Sequence, residues 1–262
     1  MDLKSKLDLY RESMAKKPGK PGMAEVPGVP GMAEVPGVPG VPGIGDIPRI
    51  KDGSITGVVP GSVCSSASGS FYIIESRYPL TYTYGGSKLG SVPDIDAKSL
   101  AMLGGEDFGG IAAEKLLFLD TETTGLSGGA GTVAFLVGTG FFTDGVFVIR
   151  RYFMRDYDEE PAMLDGFNAF LTGFEGLVTF NGKSFDWNLL QSRFISNRIK
   201  CFLKSPGHID LLYPARRIWG LKLESCRLSS LEENVLGERR SGDIPGELIP
   251  SVYFRYLENG DA

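Results

Sequence analysis

The stretch Leu117–Thr132, LFLDTETTGLSGGAGT, decides the reading of this chain. With Leu116 it opens as a short apolar strand, LLFLD, and then carries Asp120 and Glu122 two residues apart. Residues at that spacing in a strand share a face, so the two carboxylates project together. Side by side they repel, and a hard divalent cation with a preference for oxygen ligands is their natural neutraliser. A bare D-x-E also occurs as a plain solvated strand exit. The Thr123, Thr124, Gly125 and Leu126 that follow make this string far more specific. SGGAGT lacks the lysine of a phosphate loop and reads as a tight turn into the next strand.

Outward from that motif the pattern is regular. Val133–Phe142 and Val146–Met154 read as two further strands, joined by a turn at Thr143, Asp144 and Gly145. Pro161, after the acidic run Asp158–Glu160, sits where a helix would begin, and Leu164, Phe167, Leu171 and Phe174 recur at helical spacing. GLVTFN (Gly176–Asn181) is a fourth strand. A helix from Asp186 carries Trp187, Leu190 and Phe194 on one face. HIDLL (His208–Leu212) reads as a fifth strand. Ser229 and Ser230, followed by Glu232 and Glu233, predict a capping box for a helix ending at Gly237. Three antiparallel strands feeding alternating helices and strands predict an α/β mixed sheet with helices on its faces.

A third carboxylate, Asp186, follows the fourth strand in the opening turn of its helix, where the helix dipole alone would favour an acid. The neighbouring Gly182, Lys183 and Ser184 invite a phosphate-loop reading. The spacing rejects it, because a glycine is required five residues before Gly182 and the chain has Leu177 there.

DTETTGL and NGKSFD resemble the first two motifs of the DEDD (DnaQ-like) 3′–5′ exonucleases, and the longer strings resemble the YprB-type ribonuclease H-like family. DTETTGLSGGAGT, VTFNGKSFD, HIDLLYPARRIW, SCRLSSLEENVLG and DIPGELIPSVYF occur here in that family's order, from about Phe71 onward. The resemblance implies a ribonuclease H-like mixed sheet flanked by helices. It implies a metal-dependent 3′–5′ exonuclease with Asp120, Glu122 and Asp186 as catalytic ligands to two ions, Mg²⁺ or Mn²⁺. Thr123, Thr124, Gly125 and Leu126 would approach the terminal nucleotide. Asn181 would fix the loop before Asp186 or else reach substrate or metal, and Asp210 would serve as a capping or supporting carboxylate behind the ligands rather than as a ligand.

One departure matters. The family scheme calls for a fourth carboxylate on a late helix with a histidine or tyrosine before it, in the form HNxxD, and the sequence ends at Ala262 without one. The C-terminal helix is therefore expected to be missing. Tyr256 and Asp261 mimic the spacing, but Asn259 and Gly260 predict a turn there. His208 lies in a strand, the wrong context for that base. The rival expectation is a catalytically inactive nucleic-acid-binding or scaffolding protein with a degenerate site. A phosphatase or other hydrolase using the same carboxylates is weaker against so specific a motif.

Composition frames these readings. The 262 residues carry 36 glycines and 16 prolines, much of the excess lying in a front segment where GMAEVPGVP repeats at Gly22–Pro30 and Gly31–Pro39. Neither helix nor sheet propagates through such a run, so residues 1–54 read as a disordered Pro/Gly-rich tail, with docking to a proline-recognising module as a lesser alternative. Residues 55–110 read as a short β-rich extension and 111–262 as the nuclease-like domain. Cys64, Cys201 and Cys226 are odd in number and widely spaced, which speaks for a reducing, cytoplasmic setting. The N-terminal residues have no apolar core of a secretory signal, and no apolar run approaches a bilayer span. Ile111–Phe185 holds 5 basic and 10 acidic residues, whereas Asp186–Arg240 holds 10 basic and 6 acidic. A basic half interleaved with Phe194, Phe202, Tyr213 and Trp219 reads by itself as an ordinary solvated helical surface. Beside the acidic motifs it suits a polyanionic strand, and the family resemblance implies a single-stranded 3′ end as partner, held by some of Arg193, Arg198, Arg216 and Arg217.

Overall fold

The computed structural model describes residues 55–104, 108, 110–125, 131–203, 207–240 and 242–259. The front tail to residue 54 lies outside the described residues.

The strand from LLFLD runs as β5 (Leu116–Thr123), longer than its apolar core because its polar end continues to pair with a neighbour. Around it stands a seven-stranded sheet of order β1-β2-β7-β6-β5-β8-β9. The members are β1 (Ser62–Ser66), β2 (Gly69–Pro79), β6 (Ala134–Thr143), β7 (Val146–Phe153), β8 (Gly176–Thr179) and β9 (Gly207–Asp210). β5 is antiparallel to β6 and parallel to β8, so the sheet changes character at this strand. β6 and β7 form the expected hairpin, with Thr143 opposite Val146. Asp144 and Gly145 both take positive φ, 47° and 73°, the mirror-image turn that matches strand twist and that glycine makes cheap. A separate two-stranded hairpin joins β3 (Thr83–Tyr84) and β4 (Ser87–Lys88).

The helices are α1 (Ala97–Gly104), α2 (Glu160–Leu171), α3 (Asp186–Ser196), α4 (Leu212–Trp219), α5 (Leu228–Leu231, continuing as a π-turn to Leu236) and α6 (Ile249–Asn259). One sheet face buries Leu117, Leu119, Val137 and Tyr152 against Leu164 and Phe167 of α2, Leu190 and Phe194 of α3, and Tyr253 and Tyr256 of α6. Tyr253 stacks flat on Phe135, with ring centroids 4.0 Å apart. The opposite face holds a smaller cluster in which Leu100 of α1 and Phe108 meet Leu116, Val178 and Ile209.

One expectation gains definition and three change. The β-rich segment before residue 111 supplies β1 and β2 to the main sheet, where β2 pairs with β7 along eight residues from Tyr72 to Pro79. The strand from His208 stops at Asp210, and Leu212 begins a helix. Its Pro214 stands in the first turn, where a missing N–H costs nothing. Ser229 and Ser230 sit inside α5 rather than capping it. Arg227 occupies the cap, with no side-chain hydrogen bond there. The C-terminal segment is not a turn from Tyr256 onward: IPSVYFRYLEN is helix to Asn259, held by Tyr253 and Tyr256 in the aromatic core. Asp261 lies outside the described residues.

Candidate active site

β5 delivers Asp120 and Glu122 to the end of the sheet, and a register shift between Glu122 and Thr123 breaks the ladder there. Bulges of this kind re-aim side chains beside functional sites. Opposite Asp120 on β6 is Gly138, so no cross-strand side chain covers the carboxyl. Strand alternation turns Thr121 to the other face, where its hydroxyl donates to Asp186 Oδ1 at 2.5 Å. One strand thus carries two carboxylates and the hydroxyl that anchors the third.

The loop between β8 and α3 is built backward from Asp210, which is 4% exposed at the end of β9. Its Oδ1 accepts from the backbone N–H of Asn181 at 2.7 Å and of Leu212 at 3.1 Å, while Oδ2 accepts from Lys183 N–H at 3.1 Å. These three bonds hold Asn181 at φ 70°, an uncommon conformation that asparagine tolerates. Gly182 packs directly beneath the site. A Cβ there would stand 2.8 Å from Asp186 Oδ2 and 2.6 Å from Thr179 Cβ, so only glycine fits. His208 Nε2 bonds Thr179 Oγ1 at 2.9 Å, and burial holds its ring pKa below the usual value.

Electrostatics tie the three acids together. Asp120 keeps an open side to solvent, yet crowding on the others, then the charge of Asp186, pushes it up to about 6. Glu122 is pushed up to about 7, first by desolvation and then by Asp120 and Asp186. Asp186 is raised chiefly by burial, against the Thr121 hydrogen bond that favours its charge. Among the described residues none of the three makes an ion pair. The positive charge of Arg240 acts on Asp120 and pulls its pKa back down. Arg240 is itself engaged by Glu232 at 2.5 Å and Asp243 at 3.3 Å.

All available donors are carboxylate oxygens, which suits a hard divalent cation. Among the described residues, however, no three His, Cys, Asp or Glu side chains form a ready-made ligand group. The donor chemistry fits a metal; convergence of all three acids is not built in.

The remaining sequence-derived residues divide by what they touch. Thr123 Oγ1 donates to the Gly125 carbonyl at 2.9 Å, and Thr124 Oγ1 accepts from Val133 N–H at 3.0 Å. Both therefore shape the loop leaving β5. Leu126 lies outside the described residues. Of the four arginines proposed for nucleic acid, Arg193 is committed to Glu160 by two bonds of 2.6 Å, and Arg217 donates to the Met102 carbonyl at 3.1 Å. Arg198 and Arg216 are exposed. Sequence reasoning missed Thr121, Gly182 and Arg240. Thr121 was findable, since strand alternation places it on the Asp186 side. The other two depend on contacts made across the fold.

This arrangement, an acid-tipped strand in a mixed sheet flanked by helices, is the α/β class of the ribonuclease H-like fold. The RNase_H superfamily profile matches residues 117–262, and the chain belongs to that superfamily. It is similar to "Uncharacterized protein YprB" of Bacillus subtilis (strain 168), with 37% identity over 153 residues. The alignment covers 57% of this chain and 36% of the relative, so the chain spans about a third of that protein. The superfamily suggests nuclease-type chemistry on nucleic acid.

Proposed function

We propose that this chain hydrolyses phosphodiester bonds at the 3′ end of a single-stranded nucleic acid, as a DEDD-type exonuclease. The observation that carries the reading is the group of three desolvated, mutually repelling carboxylates from two elements, none neutralised by its own ion pair. Folding leaves such a group costly unless a cation joins it. Asp120, Glu122 and Asp186 would hold Mg²⁺ or Mn²⁺, two ions in the full scheme. Bound there, the ions would supply an acidified water and charge stabilisation at the phosphate. Thr121 holds the Asp186 carboxylate in place, and Asp210 fixes the loop that presents it. Asn181 and the loop Thr123–Leu126 would lie against the terminal nucleotide.

Two further proposals stand beside this reading. Residues 1–54 act as a tail, 55–110 as an extension and 111–262 as the nuclease-like domain. No described helix is long and apolar enough to cross a membrane. All three cysteines are free thiols, which supports a reducing, cytoplasmic setting.

The test is shortening of a 5′-labelled single strand by the full chain. Mg²⁺ or Mn²⁺ should give a ladder of products shortened from the 3′ end, and Asp120→Ala should remove it. Products that persist in chelator, or an unchanged rate in Asp120→Ala, would overturn the reading. Binding without any cleavage would favour the rival, an inactive nucleic-acid-binding protein.

A further inference from the structure

The end of α3 remote from Asp186 borders a cavity that the proposed chemistry does not use. It measures about 510 Å³, is open to solvent, and is walled by the β1–β2 turn, the outer side of α2 and the segment Asn197–Phe202. Two cations, Arg198 and Lys200, stand on its lining against one carboxylate, Asp165, which accepts a hydrogen bond from the Ser68 hydroxyl. Among the described residues neither cation makes an ion pair. Phe202, 57% exposed, offers its ring at the same wall.

The wall is built rather than loose. Asn168 is 3% exposed; its amide donates to the Lys200 carbonyl at 3.0 Å and its oxygen accepts from Phe202 N–H at 2.8 Å. That single side chain fixes the backbone carrying both the lysine and the ring. Arg198 is fixed by the helix end itself. Its N–H bonds the Ile195 carbonyl, Ile199 N–H bonds the Phe194 carbonyl, and Arg198 takes φ 57°. This is a Schellman ending, and the residue at its left-handed position is ordinarily glycine. An arginine there carries a conformational cost of roughly 1 kcal/mol. In return, a guanidinium sits at the cavity rim on a rigid base.

We infer that this cavity is a second nucleic-acid subsite, in which Arg198 and Lys200 take phosphates of a single strand and Phe202 stacks a base. The inference rests on the nuclease reading above and extends it to nucleotides away from the cleaved end. Cation-lined grooves with aromatic platforms are how proteins hold single strands without reading sequence. α3, of 11 residues, begins at Asp186 and ends beside this cavity. Its length of about 16 Å places the subsite on the order of five stacked nucleotides from the carboxylates.

The glycine-favouring position makes a test in which folding and binding move apart. Anisotropy in chelator, with the full chain, would compare 5′-labelled single strands of about twelve and about three nucleotides. Arg198→Gly should hold or raise the melting temperature. It should weaken binding of the longer strand about tenfold and reduce the salt slope by about one. Phe202→Ala should weaken the longer strand by a similar factor, about tenfold. The longer strand's advantage over the shorter should shrink in both variants. If the parent binds and shortens the longer strand and both variants bind it unchanged, this subsite is overturned and the nuclease reading stands. If the parent binds through Arg198 and Phe202 but shortens nothing in Mg²⁺, the subsite stands and the nuclease reading falls. A parent that binds neither strand overturns both.

Discussion

Glu160 and Glu122 are both acids drawn into protein, and the fold treats them oppositely. Glu160, at the start of α2 and 6% exposed, meets the Arg193 guanidinium with two bonds of 2.6 Å and the Asn197 amide at 3.0 Å. Glu122 instead lies in the field of two more carboxylates, and desolvation with their charges drives it up to about 7. A buried acid with a matched fork of donors joins two helices. A half-buried acid among acids has no structural return, and its retention points to something that arrives from outside. The second case marks a site far better than burial or charge alone.

That contrast can be broken at several points. The largest effect is expected from Glu122→Gln. It should cost about three orders of magnitude in metal-dependent strand shortening, since several kcal/mol of charge stabilisation depend on such ligands. Its melting temperature without metal should hold or rise. A loss of both would mean that Glu122 is a structural acid after all. Glu160→Ala should behave in the reverse way. It strands Arg193, whose side chain is 15% exposed, and should cost about 3 kcal/mol or more in denaturant unfolding. The folded fraction should keep its turnover. Thr121→Val removes the hydroxyl from Asp186 and should weaken metal affinity by about tenfold or more, read by calorimetry, with little change in stability.

The smallest effect is the pH dependence of stability without metal. Asp120 near 6 and Glu122 near 7 lie above their usual values, so the folded state holds more protons than the unfolded state between about pH 4 and 7. Their contribution is full below that window and is lost as pH rises through it. The melting temperature should fall by a few degrees across it and level off above. Divalent metal should reverse the fall, and Asp120→Asn should flatten it. A rise with pH, traced to these residues, would contradict the repulsion described here.

The sequence made the site's skeleton legible because strand alternation and motif spacing are local facts. Asp120, Glu122 and the hairpin through Asp144 and Gly145 need only neighbours along the chain. Asp186 is legible because its helix starts where the strand before it stops. α4 was hidden by apolar residues that continue smoothly from β9, and only the change of partner at Leu212 ends the strand. α6 was hidden because Asn259 and Gly260 signal an ending. Its start and middle are fixed by Tyr253 stacking on Phe135 and Tyr256 meeting Phe153, contacts more than a hundred residues apart in sequence. Gly182 and Arg240 escaped for the same reason: what they do is defined by a partner the local pattern never mentions.

The segment before residue 111 has a consequence of a different kind. It contributes the two outer strands β1 and β2, and through Leu100 and Phe108 it also covers the second face over Val178 and Ile209. The superfamily match begins later, at residue 117. The recognisable unit and the unit able to stand in water are therefore not the same length. A fragment cut at the start of the match would present the bare edge of β7 to other chains and leave Val178 and Ile209 uncovered, a recipe for self-association. Inheritance of the acidic corner is written in one part of the polypeptide, and its solubility in another.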